Sequence, residues 1–232
     1  MLFTETSVRD NIRNRDGKRV FYLGSGDTLT PGARDWLRQE KIEILPASQA
    51  KPQRYRLASG GYCEEKPEHM THLNAQVLVP TTHPRIAFRG AVDSLEGELV
   101  LCQLKCPGLR QELGEILALA RMLIRCEVMD EPVPEGKLCG LTETEQRKHS
   151  HRPQDFYGQA HFMPEYTDGE PVLLLNKCRC AARSAELAAS RAFIRDDGTV
   201  QRQDILKALN RMSSMLYILM IREKSRNHRR EP

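Results

Sequence analysis

The chain has 232 residues, of which 40% are hydrophobic and 28% charged, a balance that excludes a disordered protein and suits one sizeable domain with room for a small extra unit. Its 35 Lys and Arg against 31 Asp and Glu leave a net charge of +4, too small an excess to indicate a nucleic-acid partner. No apolar run approaches the roughly 20 residues that span a bilayer, and the N-terminal residues lack an apolar signal segment, so we expect a cytoplasmic protein without a membrane partner. Seven cysteines without the spacing of a disulfide framework indicate reduced thiols.

Residues 1–50 are typical of a small α/β unit. KRVFYL (18–23) and IEILPA (42–47) indicate strands, and the residues between them indicate a turn, a cap at Thr30 and a helix that starts at Pro31. The Gly24–Gly26 run lacks the lysine and the spacing of a P-loop, so a plain turn is the better interpretation. Residues 51–69 are polar and rich in Gly and Pro, which predicts a linker or mobile loop.

Residues 70–232 predict a mainly α fold, an up-and-down bundle of four to five helices. Apolar residues recur at helical spacing in four long segments, which are 85–105, 108–127, 169–193 and 204–224. A shorter helix is expected to open at a capping box formed by Thr142 and Glu145. The stripes expected to form the core are Phe88, Val92, Leu95, Leu99 and Cys102; Leu109, Leu113, Ile116, Ala120 and Leu123; Leu175, Cys178, Ala182, Ala185, Ala189 and Phe193; and Ile205, Leu209, Met212, Leu216 and Leu219.

Three of these helices carry polar residues directly beside the apolar stripe. They are Arg85, Arg89, Asp93 and Glu96 on the first, Arg179, Arg183 and Glu186 on the third, and Asn210, Ser213 and Tyr217 with the adjacent Arg211 on the last. Guanidinium groups can clamp phosphate oxygens, and a carboxylate can hold each arginine in place. The alternative is a set of solvated ion pairs at i,i+4 spacing. The pattern alone supports a helical bundle with a candidate anion site.

Longer motifs resemble the corrinoid adenosyltransferases, above all the ethanolamine-utilisation branch of that family. The segments that carry the resemblance are HPRIAFRGAVDSLEGELV (83–100), NKCRCAARSAELAA (176–189) and LNRMSSMLYILMI (209–221), extended by KPEHMTHL (66–73) and TLTPGARDWL (28–37). The C-terminal half is more distantly similar to the propanediol-utilisation type. Its Arg-x3-Arg-Arg-Ala-Glu, Asn-Arg-Leu-Ser and Arg-x4-Gly-x2-Asp motifs are matched by Arg179, Arg183 and Glu186, by Asn210, Arg211 and Ser213, and by Arg85, Gly90 and Asp93.

The resemblance implies a transferase that moves the 5′-deoxyadenosyl group of ATP to cob(I)alamin. The product, adenosylcobalamin, would serve a recipient lyase such as ethanolamine ammonia-lyase, and a separate reductant would supply the cobalt(I) state. Propanediol-type relatives are trimers with ATP between subunits, so we expect a homo-oligomer, either a trimer or a dimer. The expected location is the cytoplasm, with a bacterial microcompartment as a further possibility.

The resemblance also assigns roles to single residues. It implies a catalytic set of Arg183, Asp93 and Arg179, in which Asp93 anchors an arginine, even across a subunit boundary. The ATP-binding residues that it implies are Asn210, Arg211, Arg179, Arg183, Glu186, Arg85 and Thr71. Some family members displace the lower ligand of cobalamin with a Phe just before a Leu-Pro. Alignment on Pro164 puts His161 at that position and Phe162 beside it, so either can face the corrin, and Phe162 can equally be an anchor in the core.

Two departures from the family pattern bear on the site. The Gly-rich phosphate loop of the propanediol type is absent, and Lys66 and Thr71 are the weak substitutes for it. Ethanolamine-type members can carry a His followed by a Cys-Cys-x2-Cys cluster, of which only Cys63 remains here, so we predict no structural zinc or iron centre. Cys102, Cys106, Cys178 and Cys180 are expected to be buried thiols rather than a metal site. We expect Mg²⁺ to accompany ATP through the phosphates and water.

Two other functional interpretations remain open at this stage. The bundle can be a non-catalytic module that binds or delivers adenosylcobalamin or ATP, which the missing phosphate loop favours and the retained Arg179, Arg183 and Asn210 oppose. The N-terminal α/β unit can also be a docking unit for a larger assembly. An assay for adenosyl transfer separates these interpretations.

Overall fold

The computed structural model describes residues 1–15, 17–50 and 55–228, which fall into two compact units, Met1–His83 and Pro84–Pro232. This boundary differs from the ones expected at residues 50 and 69. Within the expected linker, residues 51–54 lie outside the described residues, whereas Tyr55–Leu57 and Tyr62–Cys63 are strands. Strands of two or three residues are too short to show the alternation that marks a strand in sequence, which is why the segment resembled a linker.

The N-terminal unit contains a mixed sheet of seven described strands. Its strands and helices are β1 (Leu2–Phe3), α1 (Glu5–Asp10), β2 (Arg13–Arg15), β3 (Lys18–Leu23), β4 (Thr28–Leu29), α2 (Pro31–Gln39), β5 (Glu43–Pro46), β6 (Tyr55–Leu57), β7 (Tyr62–Cys63), β8 (Met70–His72) and β9 (Val77–Pro80). The sheet order is β5-β3-β2-β7-β6-β9-β8, and β1 pairs separately with β4. The predicted strands at β3 and β5 and the predicted helix α2 are confirmed, but the sheet is larger than the sequence indicated.

Local contacts in this unit match the chemistry of its turns. Thr30 caps α2 by accepting a hydrogen bond from the backbone of Ala33 at 3.3 Å. Gly24 and Asp27 close a plain turn, with a backbone hydrogen bond of 3.1 Å from Asp27 to Gly24. Gly61 has a φ of +81°, and a Cβ there would lie 2.2 Å from the carbonyl oxygen of Ile12, so only glycine fits. On α2, the ring of Trp36 lies 4.9 Å from the guanidinium of Arg9.

The C-terminal unit is helical, and the four long helices and the short one predicted from sequence are present in it. Its helices are α3 (Pro84–Lys105), α4 (Arg110–Met129), α5 (Glu143–His151), α6 (Pro153–Tyr157), α7 (Glu170–Phe193) and α8 (Gln203–His228). Every residue predicted to lie on an apolar stripe is buried. Helix α7 packs against α3 and α8, α3 packs against α4, and α5 packs against α8. Among the described residues, no helix combines the length and the apolar character that a membrane crossing requires.

A polar brace joins the end of α4 to the start of α8. Arg202 donates to Asp204 at 2.9 Å and to the carbonyl oxygens of Glu131 at 2.8 Å and Cys126 at 3.2 Å. Asp204 also accepts a hydrogen bond from the backbone of Val133 at 2.9 Å. The hydrogen bond from Arg202, ahead of the backbone hydrogen bond from Val133, lowers the pKa of Asp204 to about 2.

We predict that Asp204→Asn destabilises the protein by about 2 kcal/mol at neutral pH, because the charged acceptor of the brace is lost. The pKa of an Asp in the unfolded chain is about 3.9, so the stabilising contribution is complete above that pH. It disappears as the pH falls toward the folded-state pKa of about 2. Urea unfolding between about pH 7 and pH 2 measures this. Exposed Asp196→Asn is the control, and equal acid sensitivity of Asp204→Asn and the unaltered protein would contradict the assignment.

Candidate functional site

A polar pocket of about 260 Å³ opens on the C-terminal unit, between α7, α8 and the residues around the end of α5. Its lining residues are Ser150, His151, His161, Arg179, Arg183, Ser213, Ser214 and Tyr217. The predicted polar stripes of the third and last long helices therefore meet at one site. Ser150 and His151 were not identified from sequence, because only the packing of α5 on α8 brings the end of α5 to the pocket. Ser214 was not assigned either, although it follows Ser213 directly on α8.

The two arginines of the pocket differ in how they are held. Arg179 donates from Nε and Nη2 to the side-chain oxygen of Asn176, at 3.2 and 3.0 Å, and its guanidinium lies 5.9 Å from the ring of Tyr217. Arg183 is exposed one turn further along α7 and makes no hydrogen bond or ion pair with the described residues. One cation is thus fixed in orientation, and the second can move toward an anionic ligand.

Polar groups of α8 form a second cluster, of which Ser213 and Ser214 line the same pocket as these arginines. Asn210 donates from Nδ2 to Oε1 of Glu186 at 3.0 Å, and its Oδ1 accepts a close hydrogen bond from Nη2 of Arg211. The hydroxyls of Ser213 and Ser214 both donate to the carbonyl oxygen of Asn210, at 3.0 Å each. Nη1 of Arg211 is buried and has no hydrogen-bond partner within the described residues. Asn210, Arg211 and Glu186 do not line the pocket itself, and this buried nitrogen is a donor that the described residues leave unsatisfied.

Arg85 lies in a different arrangement from the one that its motif suggested. Arg85 and Arg89 both form ion pairs with Glu127 of α4, the second at 2.6 Å, and the Glu127 side chain is 0% exposed. Glu127 was missed by the sequence analysis, although it follows Leu123 at i+4 on the buried face of α4, which is an unusual place for a carboxylate. Asp93 is exposed on α3 and forms no ion pair with the described residues.

His161 and Phe162 have distinct surroundings in the loop that follows α6. His161 is exposed, lines the pocket, and is fixed by Tyr217 Oη at 2.8 Å from Nδ1 and by the carbonyl oxygen of His151 at 3.2 Å from Nε2. Phe162 is half-buried and packs against the core of the helical unit. Of these two neighbouring rings, the imidazole of His161 is thus the one that lines the pocket.

Thr71 belongs to the N-terminal unit, where it pairs with Val79 between β8 and β9. In the same unit, Lys66 and His69 line a separate cavity of about 400 Å³ together with Asn14 and Arg15. Within residues 1–15, 17–50 and 55–228, no three His, Cys, Asp or Glu side chains are arranged to hold a metal ion.

The cysteines of the helical unit behave mainly as core residues. Cys102, Cys106 and Cys178 are buried, with the sulfur atoms of the first two 4.0 Å apart, whereas Cys180 is exposed, contrary to expectation. A hydrogen bond to Cys178, followed by burial, raises the pKa of Cys102, and burial raises the pKa of Cys106 to about 12. Both thiols are therefore protonated near neutral pH and are poor nucleophiles.

Helical packing around a pocket with two arginines, hydroxyl groups and an imidazole defines a mainly helical protein with a candidate anion site. Residues 61–223 match the family model described as cobalamin adenosyltransferase. The chain belongs to this family, which confirms the resemblance seen in the sequence and makes the protein a transferase.

Two curated relatives cover almost the whole chain. The corrinoid adenosyltransferase EutT of Salmonella typhimurium is 31% identical over an alignment of 253 residues, which covers 94% of this chain and 90% of that protein. The corrinoid adenosyltransferase EutT of Escherichia coli K12 is 30% identical over 242 residues, with the same two coverages. The similarity therefore includes the N-terminal unit as well as the helical one.

We predict that Glu127→Gln lowers the free energy of unfolding by about 3 kcal/mol, because two arginines lose the buried carboxylate that both contact. Equilibrium unfolding in urea gives the value. The matched control is Glu98→Gln, which removes a 2.9 Å ion pair to Lys177, whose side chain is 57% exposed. We expect that control to change stability by less than about 1 kcal/mol. Similar values for the two variants would contradict a structural role for Glu127.

Proposed function

We propose that this protein is an ATP:corrinoid adenosyltransferase that transfers the 5′-deoxyadenosyl group of ATP to cob(I)alamin. The observation that supports this most directly is the pocket in which Arg179 and Arg183 lie beside His161 and Tyr217. Family membership gives the reaction, and the pocket offers the groups that the reaction needs. We further propose that adenosylcobalamin passes to a lyase of ethanolamine breakdown, in keeping with the relatives named EutT.

The chemistry explains why two cations are needed. A Co–C bond forms as cob(I)alamin attacks C5′, while the C5′–O bond breaks and its electron pair leaves with the triphosphate. Negative charge therefore accumulates on the leaving oxygen, and positioned guanidinium groups stabilise it most where water is excluded. Arg179, held by Asn176, would supply a fixed charge, and Arg183 would close on the phosphates once ATP is bound.

The other residues proposed to act on ATP either contact it directly or orient a residue that does. Arg211 would donate from Nη1 to ATP, while Asn210 and Glu186 would orient Arg211 through the hydrogen bonds described above. Asp93 would anchor Arg183 from a neighbouring subunit, since both side chains are exposed. Arg85 and Thr71 would also contact ATP, and Arg85 would do so while it remains paired with Glu127.

The proposed enzyme contains more than one subunit. We propose a homo-oligomer, trimer or dimer, of up-and-down bundles with ATP bound as its Mg²⁺ complex. A reductant would deliver the cobalt(I) form, and the protein would work in the cytoplasm or inside a bacterial microcompartment. The corrin would approach the side of the pocket on which His161 and Phe162 lie, and one of these rings would help to displace the lower axial ligand.

We predict that Arg183→Ala and Asn210→Ala each lower kcat/KM at least about 30-fold, which corresponds to a loss of ~2 kcal/mol of transition-state stabilisation. The reason is that each substitution removes a charge-assisted contact with ATP or the support of such a contact. Steady-state kinetics with ATP and cob(I)alamin measure the loss. Arg191→Ala is the control, since Arg191 is exposed on the same helix but does not line the pocket. A folded Arg183→Ala variant with an unchanged rate would exclude Arg183 from the site.

An anaerobic assay tests the reaction itself. The purified protein is mixed with chemically reduced cob(I)alamin, ATP and Mg²⁺, and the spectrum is followed for loss of Co(I) and growth of a light-sensitive Co–C product. We expect turnover, and we expect the same rate after treatment with a transition-metal chelator followed by excess Mg²⁺, because three of the four family metal ligands are missing. Binding of ATP or adenosylcobalamin without turnover would instead support a delivery module, which the missing Gly-rich loop favours.

A further inference from the structure

The end of α6 and the loop between α6 and α7 are attached to α8 at three places. Tyr217 holds His161, Ser225 donates to the carbonyl oxygen of Tyr157 at 3.2 Å, and Lys224 forms a close ion pair with Asp168. These three α8 side chains span two turns of one face. These contacts tie the position of the loop to α8.

The ion pair between Lys224 and Asp168 is the most buried of these attachments. The Asp168 side chain is 6% exposed and the Lys224 side chain 18% exposed. The second oxygen of Asp168 accepts a hydrogen bond from the backbone of Glu165 at 2.8 Å, so the carboxylate holds the loop backbone as well as the lysine. Burial of a carboxylate carries a desolvation cost that an ion pair offsets, and the removal of Lys224 would take this counter-charge away.

Lys224 also contacts the aromatic anchor of the loop. Its ammonium nitrogen lies 4.6 Å from the ring centroid of Phe162, within the range of a cation–π contact. On α8, the ring of Tyr217 lies 6.4 Å from the same ring, with an angle of 23° between the planes. Phe162 is thus held by two residues of α8, and its neighbour His161 is turned to the pocket.

We infer that Asp168 and Lys224 are positioning residues for the corrin-facing segment, residues 161–163. In this assignment, Phe162 is the anchor, and His161 is the ring that meets the corrin, with exposed Met163 beside it. The inference rests on the proposed function for the identity of the ligand. The contacts of Asp168 and Lys224 with the loop and with Phe162, here called the clamp, are properties of the described structure and can be tested without turnover.

The first test is limited proteolysis with chymotrypsin on the full-length protein. Tyr166 is 89% exposed, but a protease must also pull out several flanking residues, which the clamp prevents. We expect Lys224→Met to be cleaved in the loop at least about tenfold faster than the unaltered protein. Lys224→Arg, which keeps the charge, should stay near the unaltered rate. Lys207→Met is the matched control, because Lys207 lies on the same helix in a 2.7 Å ion pair with an exposed partner, Glu143.

A second variant covers the case in which Lys224→Met fails to fold. The double variant with Asp168→Asn and Lys224→Met removes both charges of the pair, so it should fold, as checked by circular dichroism, and still be cleaved rapidly. Equal cleavage of this variant, Lys224→Arg and the unaltered protein would overturn the clamp.

The second test separates the corrin from ATP. For Lys224→Met we expect the KM for cob(I)alamin to rise about tenfold, with the KM for ATP changed less than about twofold. The spectrum of cob(II)alamin with ATP should also show less loss of the lower axial ligand than with the unaltered protein. Equal changes in both KM values, or an unchanged spectrum, would overturn the positioning role. An unaltered protein without turnover would overturn adenosyl transfer, while the proteolysis would still decide the clamp.

Discussion

The rest of the helical unit depends on the packing of α7 between α3 and α8. Three alanines, Ala182, Ala185 and Ala189, lie fully buried along its length, and side chains this small let the neighbouring helices approach closely. The same helix carries Arg179 and Arg183 on the adjacent face. Because the core fixes the rotation of α7 about its axis, it also fixes the face of the helix from which both arginines extend. The apolar core therefore places both arginines at the pocket.

The polar residues divide into those that the protein itself engages and those left for a ligand. Asn210 and Glu186 hold one another, and Asn176 holds Arg179, so their geometry exists before any ligand arrives. Arg183 and one nitrogen of Arg211 have no such partner among the described residues. A site built in this way loses less conformational entropy on binding than one made of mobile side chains, yet it keeps one arginine able to follow the ligand.

Helical periodicity predicted the long helices and their buried faces, because a stripe of apolar residues has few other structural solutions. The motifs then identified the arginines of the pocket. Features that depend on distant contacts were missed. Ser150 and His151 reach the pocket only through the packing of α5, and the partners of Glu127 lie 38 and 42 residues away in sequence. The strands of residues 55–80 were not predicted from sequence, because pairing with distant strands, and not a local pattern, defines them.

The chain has a single tryptophan, Trp36, and it lies in the N-terminal unit beside Arg9. Tryptophan emission therefore reports on the sheet unit alone, whereas the far-ultraviolet circular dichroism of this protein is dominated by the helices of the other unit. The two signals, followed through one denaturant titration, form a natural pair of independent probes. Coincident transitions would mean that the units unfold as one cooperative body, and separated transitions would give each unit its own midpoint without truncation or labelling.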